Sequence, residues 1–288
     1  MSAGTVGIVT NDPYNVFQRA VISGIREVMD RSHYDVEICS FNDKVQPSAV
    51  MLSELTNFDG LIVISNVLAE DTLRSLYRHG KPISLISHHA PDIPIPVVVS
   101  NNQQGIAELV YHLVKHCQRR NILFIRGLME QMDAQERELA FRQELIRHNL
   151  QIPSSFFLRG DFIPDIAAES LQALLSMGVE FDSIVACDYV MAIAVLEVLR
   201  SSGIAVPGAV SVVGFGDNPQ AEAAGLTTVA ASITELGACA ARQLLSQLNH
   251  FRIRGVTVLS VRLMVRQTCG YQVVSDSERG LEKGMPIR

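Results

Sequence analysis

His112 and His116 stand four residues apart with Cys117 beside them, a spacing that places two imidazoles on one helix face next to a thiol and could begin a zinc site. No second Cys/His pair or carboxylate-rich segment completes the set, so the stretch reads as a solvated helix face and no metal is expected. His88 and His89 close an apolar run, where a hydrogen-bonding role at a rim outweighs catalysis. Cys187-Asp188 lacks a His partner evident in the sequence, and no Ser sits in a Gly-x-Ser-x-Gly elbow, so no catalytic residue is assigned. Gly214-Phe215-Gly216-Asp217 suggests a dinucleotide turn only superficially, because no third glycine and no suitably placed helix follow. No Gly-rich loop carries Lys and Ser/Thr, and no cofactor is expected. Glu136-Arg137-Glu138 at a helix start would ordinarily be an exposed charge run.

The elements that must position these residues follow from hydrophobic periodicity. Apolar, β-branched runs predict strands at 6–10, 36–41, 60–64, 83–87, 97–99, 122–125, 156–158, 183–186, 210–215 and 256–265. Helical periodicity predicts helices at 16–30, 48–55, 70–79, 104–115, 134–148, 165–177, 190–201 and 234–248. Gly60-Leu61-Ile62-Val63-Ile64, unbroken by polar residues, suits a strand buried on both faces. Repeated βα units require parallel sheets with right-handed crossovers. So many strands exceed one comfortable open sheet, so the expectation is an α/β protein of two doubly wound parallel-sheet lobes joined near Ser100-Asn101-Asn102. A ligand would lie between the lobes, beyond the carboxyl ends of the strands.

Composition narrows the function class. The 288 residues are 48% hydrophobic and 6% aromatic with no Trp, which suits helices packed on parallel strands. A formal net charge of −6, with Lys and Arg scattered, leaves no surface built to neutralise phosphates. No charged n-region with a long apolar core opens the sequence, and no apolar run is long enough to span a bilayer. Five separated cysteines, odd in number, read as reduced thiols of a cytoplasmic protein. The residues after Gln272 are polar and unpatterned, a disordered tail or linker over 273–288.

Several stretches resemble the LacI/GalR family of transcriptional regulators and its periplasmic sugar-binding relatives, from Gly4 to about Tyr271. Val206-Pro207-Gly208-Ala209-Val210-Ser211-Val212-Val213-Gly214-Phe215-Gly216-Asp217, followed by Leu226-Thr227-Thr228-Val229, resembles the family's "vP-dlsvvGfDd … lTTv". Ala186-Cys187-Asp188-Tyr189-Val190-Met191-Ala192 resembles "ND-x-x-A", Asp59-Gly60-Leu61-Ile62 resembles "DGiI", Arg159-Gly160-Asp161-Phe162 resembles "GDf" and Val265-Arg266 the closing "vR".

The resemblance implies a periplasmic binding protein-like type I fold with three interlobe crossings, near Asn101, Ala231 and Ser260. It implies lobes of 4–100 plus 232–260 and of 101–231 plus 261–272. It also implies an effector site: Tyr14 and Phe17 as apolar wall, Ser65, Ser87 and His88 at first-lobe strand ends, Arg137 as hydrogen-bond donor, Phe162 stacking on the ligand, and Cys187, Asp188 and Asp217 on the second lobe. Gly216 stands where the family has Asp, Ala231 where it often has Gln, and Cys187 where it has Asn, so a polyhydroxylated sugar has fewer expected partners. The implied partners are a small effector such as a sugar or nucleoside, a second copy of the chain in a homodimer, and operator DNA only through a helix-turn-helix headpiece that this sequence does not include. Apolar helix faces would form the dimer, with Leu68, Leu73 and Leu76 as contributors, although core packing explains those leucines equally well. The implied function is an effector-binding sensor core. A solute-binding protein of a transporter, a sensor domain of another signalling protein, or a doubly wound hydrolase using Asp188 or His88 are the alternatives.

Overall fold

A computed structural model describes residues 4–41, 49–88 and 90–271. Its strands, in chain order, are β1 (Gly4–Thr10), β2 (Tyr34–Ser40), β3 (Gly60–Ile64), β4 (Ile83–Ile86), β5 (Val97–Ser100), β6 (Ile122–Arg126), β7 (Phe157–Arg159), β8 (Ser183–Ala186), β9 (Ser211–Phe215), β10 (Thr227–Ala231), β11 (Val256–Leu259) and β12 (Val261–Met264). The helices are α1 (Val16–Arg31), α2 (Ala49–Thr56), α3 (Glu70–Arg78), α4 (Asn102–Tyr111), α5 (Met132–Arg147), α6 (Pro164–Ser176), α7 (Tyr189–Ser201), α8 (Pro219–Ala223) and α9 (Ile233–Leu248). The strands form two six-stranded sheets, ordered β11-β5-β4-β3-β1-β2 and β12-β10-β9-β8-β6-β7. All pairings in the first sheet are parallel, as are those from β7 through β10 in the second. The expected α/β architecture of two parallel-dominated sheets is therefore present.

The chain changes sheet three times, after β5, after β10, and between β11 and β12. The single strand expected over 256–265 is two strands broken at Ser260, each belonging to a different sheet. Strand β10 went unread in the periodicity because Thr227-Thr228-Val229-Ala230-Ala231 mixes small and polar residues, all but Ala230 of them buried, and the five-residue α8 is too short to show a helical period. By compactness the described residues fall into two units: residues up to 106 with Gly127–Arg142 and Ala230–Arg262, and Ala107–Arg126 with Gln143–Val229 and the residues from 263 on. The tail expected over 273–288, Ser48 at the start of the expected second helix, and His89 lie outside the described residues.

The first unit shows why its strands read as continuous apolar runs. Leu61, Val63, Leu85, Val97 and Val99 face one core with Leu68, Leu73 and Leu76, while Ile62, Ile64, Ile86 and Val98 face the other with residues of α1 and α9. Period-two alternation is thus hidden because both faces are covered. Leu68, Leu73 and Leu76 are at most 2% exposed. They are core residues, so of the two readings core packing holds and the dimer-face one is corrected. On the opposite side α1 crosses α9 at two glycines: a Cβ on Gly24 would sit 1.9 Å from the Thr234 carbonyl oxygen, and one on Gly237 would sit 2.0 Å from that of Val21. Only the missing side chains let the backbones approach so closely.

Candidate functional site: the carboxyl edges of the sheets

At the carboxyl edge of the first sheet, three adjacent strands end in hydroxyl residues. Thr10 closes β1, Ser65 follows β3 and Ser87 follows β4. The ladder carries through their backbones, Ser65 N–H donating to the Ile86 carbonyl at 2.8 Å and Ser87 N–H to that of Val98 at 3.0 Å. Both serines then turn left-handed, with φ of 59° and 49°. A side chain there costs about 1–2 kcal/mol relative to glycine, and such strain concentrates at ligand sites. His88 folds back over this edge, its Nδ1 3.0 Å from the Ser65 carbonyl oxygen. Thr10 Oγ1, Asn66 Oδ1 and Ser87 Oγ are buried with no hydrogen-bond partner among the described residues. A buried, unpaired polar atom costs about 1–3 kcal/mol, so three on one edge call for a partner from outside the chain.

The same unit also holds a buried polar network. Asn102 donates from Nδ2 to Asp133 Oδ1 at 2.8 Å and to Glu136 Oε2 at 2.7 Å, and its Oδ1 accepts from Arg137 Nε at 2.8 Å. The second guanidinium nitrogen is 3.9 Å from Asp133 Oδ2. Arg137 is only 7% exposed and Glu138 is buried with it. The Glu136-Arg137-Glu138 stretch is therefore not an exposed charge run; the fold tucks it against α4, which the sequence could not show because Asn102 and Asp133 lie 31 positions apart.

The second unit presents an equivalent set of strand ends. Gly160-Asp161-Phe162 follows β7, and Asp161 and Phe162 are both left-handed, with φ of 54° and 61°. Asp188 caps α7, its Oδ1 accepting from Met191 N–H at 2.8 Å. After β9, Gly216 takes φ 92°, a conformation that an aspartate would adopt only with strain. Asp217 is gripped at both oxygens by Arg266, at 2.9 Å each, and Arg266 also donates to the Leu226 carbonyl. That hydrogen bonding raises the Arg266 pKa above its ordinary value and fixes the charge.

Residues 110–269 match the family model described as a periplasmic binding protein-like domain, more than half of the chain. The chain belongs to the periplasmic binding protein-like domain family. Among relatives, the HTH-type transcriptional regulator DegA of Bacillus subtilis (strain 168) is 28% identical over 240 residues, covering 81% of this chain and 71% of that protein. Among solved structures, a complex of the transcriptional regulator CelR with cellobiose superposes with a TM-score of 0.80 at 23% identity, over 92% of this chain and 84% of that one. The lac repressor dimer bound to operator and the anti-inducer ONPF does so with 0.83 at 19% identity, over 93% and 94%. The LacI/GalR resemblance is thus matched by regulators in both sequence and fold.

Within this periplasmic binding protein-like chain, the residues that the resemblance marked fall on both units. The first unit carries Tyr14, Phe17, Ser65, Ser87, His88 and Arg137, and the second carries Phe162, Cys187, Asp188 and Asp217. Ser65, Ser87 and His88 converge on one edge. Tyr14 stands in solvent at 86% exposed, and Phe17 packs partly into the core beneath α1 and α9. Cys187 is wholly buried, while the carboxylates of Asp188 and Asp217 are engaged by the α7 cap and by Arg266. Thr10, Asn66 and Asn102 were missed. Thr10 reads as the last residue of an apolar strand, and only its empty hydroxyl distinguishes it.

One reading is corrected outright. The helix face bearing His112 is not solvated: His112 is buried, with Nε2 3.2 Å from the Cys269 sulfur. The bond from the Cys117 thiol, aided by His112 against the cost of burial, holds the Cys269 thiol at about 4. The same shared bond pushes Cys117 up. The partner that the local spacing lacked comes from a residue more than 150 positions away.

Proposed function

We propose that this chain is the effector-binding core of a LacI-type transcriptional regulator, a sensor that performs no chemistry. The carrying observation is the first sheet's carboxyl edge, where Thr10 Oγ1 and Ser87 Oγ are buried and unpartnered beside two left-handed serines. A hydroxyl- or carbonyl-bearing effector would complete these hydrogen bonds, and the Arg137–Asn102–Asp133 network would hold the neighbouring backbone rigid. A sugar, nucleoside or similar polar molecule fits this set of donors and acceptors.

Cellobiose in one neighbour and a dimer on operator DNA in another support a saccharide-like effector and a homodimer whose output is DNA binding through a helix-turn-helix headpiece. We place the protein in the cytoplasm on the same grounds; no helix among the described residues is long and apolar enough to cross a membrane. A hydrolase finds less support, since the Asp188 carboxylate caps a helix and one ring nitrogen of His88 is turned to a carbonyl.

The test is a thermal-shift panel of sugars, nucleosides, amino acids and small organic acids, with sizing chromatography of the same sample. Saturable stabilisation by one class, weakened by Ser87→Ala, supports the sensor reading. No stabilisation across the panel, or one that Ser87→Ala and Thr10→Val leave intact, overturns the site.

A further inference from the structure

We propose that His112, Cys117 and Cys269 form a zinc-binding site in the second unit, distinct from the effector edge. Their ligand atoms, one imidazole nitrogen and two sulfurs, all lie within 4.8 Å of one another. Tetrahedral zinc with Zn–S of about 2.3 Å and Zn–N of about 2.0–2.1 Å requires S···N and S···S separations of roughly 3.6–3.8 Å, so the set needs only small side-chain adjustments to close on an ion. Thiolate and imidazole donors suit zinc over the hard, oxygen-seeking cations.

The backbone is shaped to bring these groups together. After α4 the chain winds into a π turn over His112–His116, and Cys117 N–H donates to the His112 carbonyl at 3.1 Å. In an α-helix a residue five positions on would point about 140° away around the axis. The wider turn closes that gap, and such turns recur at functional sites.

The third ligand is held from the other side. The Cys269 carbonyl accepts from Ser211 Oγ at 2.8 Å, and Ser211 accepts from Arg119 Nε at 2.9 Å. Thr268 Oγ1 donates to the Val212 carbonyl at 2.7 Å. Cys117 is only half-buried and His116 is exposed, which gives the ion a route in and leaves a fourth position for water or the His116 imidazole. Coordination takes both sulfurs as thiolates, and the proton that Cys117 shares with Cys269 passes to solvent as the sulfur–zinc bonds form.

The experiment uses the full chain, stripped with chelator and kept reduced. Added Co2+ should give the sulfur-to-cobalt charge-transfer absorption of a thiolate site, and one equivalent of zinc should bleach it. Cys117→Ser and His112→Gln should each weaken zinc by about 100-fold or more while far-UV circular dichroism stays native, whereas Cys239→Ser should change nothing. Cys269→Ser should do the same; should its buried position keep it from folding, the half-buried Cys117→Ser decides the matter. Absence of the charge-transfer band, or a band that survives Cys117→Ser and His112→Gln, overturns the site.

Discussion

Ser87→Ala separates a ligand-binding hydroxyl from a structural one, because the two roles predict opposite signs. Ser87 is 3% exposed and its Oγ has no protein partner. Removing it lifts a penalty of about 1–3 kcal/mol for an unpaired buried hydroxyl. The void left by one oxygen, roughly 10 Å³, returns only about 0.2 kcal/mol. Alanine meets the same left-handed strain as serine, so the backbone contribution cancels. The ligand-free protein should therefore be stabilised by about 1–2 kcal/mol, or roughly 2–6 °C in Tm for a chain of this size. Effector affinity should move the other way, falling roughly 2–10-fold through loss of one hydrogen bond. Calorimetric melts of the free protein and isothermal titration with the effector found in the panel measure the two separately. A Tm lowered by more than about 2 °C in the free variant would refute the reasoning, since the hydroxyl would then already be satisfied in the unliganded fold.

Four further outcomes follow from the same geometry. Gly237→Ala should destabilise the first unit by roughly 2 kcal/mol or more in denaturant unfolding, because the clash with the Val21 carbonyl exceeds the helix-propensity gain of about 1 kcal/mol. Arg137→Ala should cost about 3–5 kcal/mol by leaving Asp133 buried beside an emptied network, whereas Arg137→Lys should recover part of it; equal losses in urea melts would argue against a charge role. In a double-mutant cycle, Asp217→Asn and Arg266→Met should show a coupling of about 1–3 kcal/mol, and additive effects would sink the clamp. Burial pushes the thiols of Cys39 and Cys239 up, so their alkylation should be slow at neutral pH and accelerate only as the pH rises past about 9, as read by mass spectrometry of labelled peptides.

The architecture was legible because βα alternation depends on local periodicity, and two-sided burial of β3 to β5 writes itself into the sequence as unbroken apolar runs. The strand ends of the proposed site were marked only in part by position: His88 closes an apolar run, and loops after the carboxyl ends of parallel strands are where ligands collect, whereas Ser65 and Ser87 came from the family resemblance. What position could not show was the occupation of each polar atom. Asp217 reads as a free acceptor until Arg266, 49 positions on, closes over it, and the "GfD"-like and "vR"-like stretches that suggested the family separately prove to be two halves of one ion pair. Arg137 likewise reads as surface charge until Asn102 and Asp133 enclose it. The converse holds at Thr10, unremarkable in an apolar strand and conspicuous only once its hydroxyl is found without a partner. His112 makes the point most sharply, since its nearest chemistry comes from Cys269, brought in by the strand that breaks at Ser260 and enters the second sheet. That contact joins residues 157 positions apart, and local spacing has no access to it.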